Sequence, residues 1–297
     1  MKKSSLDVKI FNTIGYIVLG FVALCCLIPF IIVISGSFTS ENYILKNGFS
    51  LIPKDFTLQA YKVALQNPEA VFKAYGVTIS LTILGTLLGL FITSMTAYVI
   101  TRKDFEWRNK FSFYFYFTTL FSGGLVPWYI LMVRYLHLKD NYLALLLPPL
   151  LNVFNLLVVK SYMNGIPDAI SESAKIDGAG DFTIFIKLIL PLSKPVLATV
   201  GLFIALGYWN DWYNSMLFIQ NENLYSLQYF LYKIVNNVEA YKNILSQTGG
   251  SVNIKVDMPS ESLKMALTVI VTGPIILLYP FVQRYFVSGI TIGAVKG

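Results

Sequence analysis

The chain has 297 residues, 55% of them hydrophobic and 13% charged, with a mean hydropathy of +0.61 and a net charge of +7. Globular domains carry about 25% charged residues, so a soluble surface, a disordered chain and a disulfide scaffold are all excluded. The single histidine, His137, removes most histidine-based chemistry, and the basic residues punctuate apolar runs, which argues for membrane loops and against nucleic acid.

A short basic stretch with Lys2, Lys3 and Lys9 precedes the first apolar run, residues 11–38. That run is too long for a signal peptide and shows no small-residue cleavage site, so it is expected to stay as a membrane span behind a cytoplasmic N-terminus, residues 1–10. Cys25 and Cys26 are adjacent inside it and read as two small apolar side chains rather than a disulfide. Leu24 before them speaks against a lipoprotein site.

Five more runs of roughly 20 residues follow, the length needed to cross a bilayer: 75–100, 111–132, 142–163, 195–219 and 263–286. The expected fold is therefore all-α, an integral membrane protein with six transmembrane helices in one domain, residues 11–297. The short loop 101–110 carries Arg102, Lys103, Arg108 and Lys110, which places it in the cytoplasm. Parity then puts both termini and the segment of about 164–195 there too. Residues 39–74, a turn at 134–141 and a polar segment of about 220–262 fall outside. In that last segment Leu227, Phe230, Leu231, Ile234 and Val235 are spaced like one helical face, suited to capping the bundle or docking a partner.

Much chemistry is missing. No G-x-x-x-x-G-K-[S/T] loop is present, so ATP is not expected on this chain. No Cys or His cluster offers metal ligands, and no serine–histidine pair is credible. Asp211 is the one acid inside the spans, thin provision for a proton relay. The chain reads as a non-enzyme, and uphill transport would draw its energy from elsewhere. Around Asp211, the fifth run holds the block Trp209, Asn210, Asp211, Trp212, Tyr213, Asn214. Its polar members should face the bundle interior or water, and a continuous helix would set Asn210, Tyr213 and Asn214 on one face. An aromatic beside amides suits a sugar path. It equally suits an aromatic belt at the membrane surface or amides bridging helices.

The cytoplasmic segment is the most informative. Asp168, after Pro167, can cap a helix over 169–176. Gly178 suits a left-handed helix end. Asp181 can cap a second helix reaching Leu190, where Pro191 intervenes, with Phe182, Phe185, Ile186 and Ile189 as its apolar face. The first helix presents Ala169, Ser171, Ser173 and Ala174, small residues that fit either a groove on another protein or a surface lying on lipid headgroups.

The spacing E-S-A-x-x-x-G, nine residues, L-x-L-P (Glu172, Ser173, Ala174, Gly178, Leu188, Leu190, Pro191) resembles the EAA loop of ABC importer permeases. The form E-S-A-x-x-D-G-A, with Asp177 and Ala179, resembles the carbohydrate-uptake branch. S-G-G-L-V-P at 122–127, P-L-S-K-P-V-L-A-T at 191–199, W-N-D-W-Y-N at 209–214 and the ending Y-P-F-V-Q-R-Y-F-V-S-G-I-T-I-G-A-V-K-G are similar to the polysaccharide, aldouronate and alginate oligosaccharide permeases. Ser173 stands where the founding motif has alanine, a small-for-small change. The resemblance implies a type I ABC importer permease in the cell membrane. It implies a heterodimer with a second permease, two cytoplasmic ATPase subunits holding ATP and Mg, and an extracytoplasmic sugar-binding protein. Glu172, Ser173, Ala174, Asp177, Gly178 and Ala179 would form the ATPase-coupling contact, and Trp209 to Asn214 a substrate path. The alternative is a secondary carrier or facilitator working without ATP, which would need intramembrane charge pairs or an internal repeat. An intramembrane enzyme would need a nucleophile and base that the spans lack.

Overall fold

A computed structural model describes residues 6–247 and 260–276. The end of the sixth run, the C-terminal motif and residues 248–259 of the polar segment lie outside them. The described residues are mostly helical, and their one β pairing is an isolated antiparallel bridge between Thr39 and Phe56. They divide into two compact units, one drawn from residues up to 68 and from 233–275, the other mainly from 69–232.

In the first unit, α1 (Leu6–Ser37) is apolar on every side, and nearly its whole length is exposed. Such a helix has no polar face to offer water and suits lipid. It ends where Ser37 Oγ donates to the Ile34 carbonyl (2.7 Å) and accepts from the Tyr61 hydroxyl (2.9 Å). Two short helices follow, α2 (Glu41–Asn47), capped by Ser40 Oγ, and α3 (Gln59–Ala64). The Glu41 carboxylate reaches the start of the helix at 261–276. It accepts from the Ser262 N–H (2.9 Å), the Glu261 N–H (3.0 Å) and both the Ser260 (2.9 Å) and Ser262 (3.0 Å) hydroxyls. The first turn of a helix leaves N–H groups without intrahelical partners, and a carboxylate is a good acceptor for them.

In the second unit, α4 (Pro68–Thr101) buries Thr78, Leu81, Gly85, Gly89, Thr93 and Ala97, a narrow stripe of mostly small side chains. The stripe lets neighbours approach closely. A Cβ on Gly85 would lie 2.2 Å from the Tyr208 ring, and one on Gly89 would lie 3.1 Å from the Leu150 carbonyl. Tyr208, fully buried, donates its hydroxyl to the Leu146 carbonyl (2.6 Å). Phe185 is buried against Tyr98 (5.4 Å, stacked) and Phe91 (6.3 Å, edge-on).

Three runs expected as single rods are broken. Run 111–132 divides into α5 (Arg108–Leu120) and α6 (Leu125–Ile130), which continues as a π-helical turn (Leu131–Tyr135); the two halves meet at 115°. The break is made by Gly123 and Gly124, the latter at φ 87°, a conformation costly for any residue with a Cβ. Run 142–163 divides into α7 (Leu143–Leu146) and α8 (Val153–Met163), with Pro148 and Pro149 between. Run 195–219 divides into α12 (Lys194–Trp209) and α13 (Tyr213–Phe218). Two described helices, α1 and α4, are long and apolar enough to cross a membrane as single rods.

Segments read to the same side meet. The Asp140 carboxylate, in the turn at 134–141, accepts from the Asn221 N–H (2.8 Å) and the Gln220 N–H. The amphipathic stretch from 227 is indeed helical, α14 (Leu227–Gln247). It buries Leu227 and Leu231, leaves Phe230, Ile234 and Val235 half-buried, and starts where the Leu227 N–H donates to Thr78 Oγ1 (2.8 Å).

Candidate coupling surface and helix breaks

The segment after Pro167 forms α9 (Asp168–Ile176), and none of its residues is buried. Ile176 is 86% exposed. Ala169, Glu172 and Ser173 are exposed and Ser171 and Ala174 half-buried, so the small-residue face is open. The helix ends as expected of Gly178, which sits at φ 81°. The Gly178 N–H donates to the Lys175 carbonyl (3.0 Å) and the Ala179 N–H to the Ala174 carbonyl (2.9 Å). That pair of bonds is the Schellman helix end.

The two aspartates do not cap. Asp168 is the first residue of α9 rather than its cap, and its carboxylate pairs with Lys103 (2.5 Å). Asp181 opens α10 (Asp181–Ile184) and turns its carboxylate to Arg102 (2.5 Å). An external cation competes for each side chain that local capping would otherwise hold. Nor does Pro191 end the second helix. The chain widens to a π-helical turn (Phe185–Ile189), continues through α11 (Leu190–Leu192), and bends by 84° at Ser193 into α12 (Lys194–Trp209). Its buried face is Ile184, Phe185 and Ile189; Phe182 is 64% exposed.

Arg102 stands at the centre of a charge network. Its guanidinium donates to both Asp104 oxygens and pairs with Asp181, while Lys175 of α9 pairs with Asp104 (2.8 Å) and approaches Asp181 (3.9 Å). Hydrogen bonds from Arg102 and then Lys175 hold the Asp104 carboxyl well below the usual range. A cleft of about 300 Å³ between the 101–108 loop and α9 is lined by Arg102, Arg108, Ser171, Glu172 and Lys175 among others. Ser173, Ala174, Asp177 and Ala179 line a different groove with Thr183 and Lys187. The six coupling candidates thus divide: Glu172 on one side of α9, four on the other, and Gly178 at the exposed turn between the helices. Sequence reasoning used Arg102 and Lys103 only for orientation and missed Asp104 altogether; the signal was an acid set inside a basic loop.

The aromatic-polar block is not one helical face. Helix α12 ends at Trp209 and α13 (Tyr213–Phe218) begins four residues on. Asp211 is the reason: its carboxylate accepts from the Asn214 N–H (3.1 Å) and side-chain amide (2.7 Å), the i to i+3 geometry of a cap. The Asp211 carbonyl accepts from Ser226 Oγ (2.8 Å). Asn210 is exposed; its amide donates to the Leu206 carbonyl (2.9 Å) and its oxygen accepts from Gln228 (3.2 Å). Trp209 is buried, and Trp212 packs on Tyr232 with centroids 4.9 Å apart. Tyr213 is 43% exposed and borders a cavity of about 700 Å³ at the break of the third run.

Residues 89–292 match the family model described as "binding-protein-dependent transport system inner membrane component". The chain is 37% identical over 289 residues to the polygalacturonan/rhamnogalacturonan transport system permease protein YtcP of Bacillus subtilis, covering 97% of this chain and 99% of that one. It is 38% identical to protein LplC of the same organism, covering 97% and 96%. Among solved structures it matches a bacterial ABC transporter involved in import of the acidic polysaccharide alginate, at TM-score 0.79 and 30% identity, over 96% of this chain and all of that one. The exposed α9–Gly178–α10 turn, the apolar helices and these matches agree: the chain belongs to the family of binding-protein-dependent transport system inner membrane components.

Proposed function

We propose that this chain is the transmembrane permease subunit of an ATP-driven, binding-protein-dependent carbohydrate importer of the cell membrane. It forms half of a pore with a second permease, has six spans and cytoplasmic termini, and couples through α9 to one of two cytoplasmic ATPase subunits that hold ATP and Mg. An extracytoplasmic binding protein delivers the sugar. The observation that carries the reading is the open α9 face ending at Gly178, with Glu172, Ser173, Ala174, Asp177 and Ala179 disposed about it. A helix with no buried residue is a poor structural element by itself, and it becomes a good one when it enters a groove. The relatives named for polygalacturonan, rhamnogalacturonan and alginate support an oligosaccharide, with uronate-containing chains first in order of trial. Of the block at 209–214, Tyr213 and Asn210 are open to a passing solute, whereas Asp211 and Asn214 hold the chain.

The test is reconstitution with a second permease, an ATPase and a sugar-binding protein. ATP-dependent uptake of oligogalacturonides or alginate oligomers is expected, with none from the single chain. Uptake by the purified single chain without ATP would replace this reading with a facilitator.

A further inference from the structure

We propose that the broken third run is a sugar-contact station, with a pyranose ring resting against Trp128 and Tyr213 and its hydroxyls meeting the open peptide groups of Ser122 and Gly123. It rests on the carbohydrate-permease reading. The run is apolar enough to enter the bilayer, yet its middle is not helical. Phe121 is extended (φ −127°, ψ 132°), Gly124 has φ 87°, and Leu125 starts a helix turned by 115°. Within the break the Gly124 N–H donates to Ser122 Oγ (3.2 Å). The N–H groups of Ser122 and Gly123 and the carbonyls of Phe121, Ser122 and Gly123 bond to no other described residue. Residues 118–127 are all exposed.

Unpaired peptide groups do not face hydrocarbon; at membrane depth such backbone lines a wet cavity or is covered by protein. Discontinuous helices in transporters place their free peptide groups at a solute for this reason. The cavity here, about 700 Å³, is lined by Thr118, Thr119 and Ser122, by Phe121, Trp128 and Tyr213, and by no charged side chain. That volume is within the range of small-molecule sites, about 300–1,000 Å³. A pyranose has two C–H-rich faces that stack on aromatic rings and a rim of hydroxyls that pair with peptide and hydroxyl groups. An uncharged lining reads the ring and its hydroxyls and is indifferent to a uronate charge. Tyr213 is the member of the 209–214 block that borders this cavity.

The test uses the assembled complex in a Cys25→Ala, Cys26→Ala background, with Ser122→Cys as reporter. The probe is whichever oligogalacturonide or alginate oligomer the wild-type complex takes up. A water-soluble thiol reagent should label Cys at 122 in the complex, and during ATP-driven turnover that sugar should slow labelling severalfold. Trp128→Ala and Tyr213→Ala should each slow uptake about two- to tenfold at saturating loaded binding protein, the loss of one aromatic contact. ATPase stimulation and complex yield should be unchanged. No labelling in the assembled complex would mean the partner permease covers the break, and the proposal falls. Labelling without sugar protection, or alanine variants with wild-type uptake, also overturns it while leaving the permease reading intact. A wild-type complex that takes up none of these sugars removes the carbohydrate reading, and the station with it.

Discussion

Lys175 and Asp104 are 71 residues apart in the chain and 2.8 Å apart in space. Their ion pair, with Arg102 and Asp181, fastens α9 to the loop that follows α4. Asp104 and Lys175 are about half exposed, so the pair is worth about 0–1 kcal/mol to stability. Asp104→Asn should therefore insert and assemble normally but lower the transport obtained per ATP hydrolysed. A Lys175→Asp, Asp104→Lys exchange should recover part of that loss. Recovery no better than in either single variant would show that the pair does not transmit movement.

The same carboxylate sets a pH expectation. Its folded pKa lies below the ordinary value, so its contribution is present above the usual carboxylate range and is lost as pH falls through the folded value. Between pH 5 and 8 Asp104 should stay charged, and the ATPase coupling ratio should not titrate through it. A change of coupling in that window that disappears in Asp104→Asn contradicts the assignment.

Gly178 has nothing within 4 Å of where a Cβ would stand, so substitution there acts on the backbone and does not produce a clash within this chain. A left-handed conformation costs a residue with a Cβ about 1–2 kcal/mol. Gly178→Val should leave the protein in the membrane and nearly abolish uptake, with Gly178→Asn retaining more than Gly178→Val, because asparagine tolerates αL. Equal uptake in all three proteins would mean that this turn does not enter the coupling contact.

Gly85 is the opposite case. A Cβ there meets the Tyr208 ring at 2.2 Å, and Tyr208 is pinned by its hydrogen bond to Leu146. Gly85→Ala should destabilise by about 1–3 kcal/mol through overpacking, seen as a lower melting temperature of the purified chain. Gly20→Ala in α1, where a Cβ meets nothing within 4 Å, should not lower it.

Burial disfavours the ionised Glu41, but hydrogen bonds from the Glu261 and Ser262 N–H groups and from Ser260 outweigh it, so its pKa is lowered. Its contribution is therefore present above the ordinary glutamate range and disappears on acidification through the folded value. Glu41→Ala leaves part-buried N–H groups at residues 261 and 262 without this acceptor, at a cost of about 1–3 kcal/mol. A weaker acid sensitivity of melting in this variant, together with a lower melting temperature at neutral pH, is the expected result.

What could be read from the residues alone was whatever one residue type requires by itself. Gly178 announced its turn because few other residues accept φ 81°. The open small-residue face of α9 followed from spacing. The break at Gly123–Gly124 was hidden because an apolar run of twenty residues keeps its average when two glycines interrupt it. Asp211 draws attention by its charge because acids are rare in spans. The local role of its carboxylate, accepting from Asn214 three residues on, shows only in the structure. Asp168 and Asp181 were placed as caps by the same local logic, and lost that role to Lys103 and Arg102, cations more than 60 residues away that no local pattern connects to them.

The hydrogen bond from Ser260 to Glu41 joins residues 219 positions apart. Glu41 is synthesised early and must wait for nearly the whole chain before these donors exist. Closing so long a loop is not much costlier than closing one of half the length, about 0.6 kcal/mol per doubling. The contact therefore requires residue 260 to have been made, while the length of the loop adds little to its cost. A nascent chain halted before residue 260 leaves the Glu41 carboxylate without the helix start it serves. The clamp is thus a late-closing clasp, available only once synthesis has reached the last described helix.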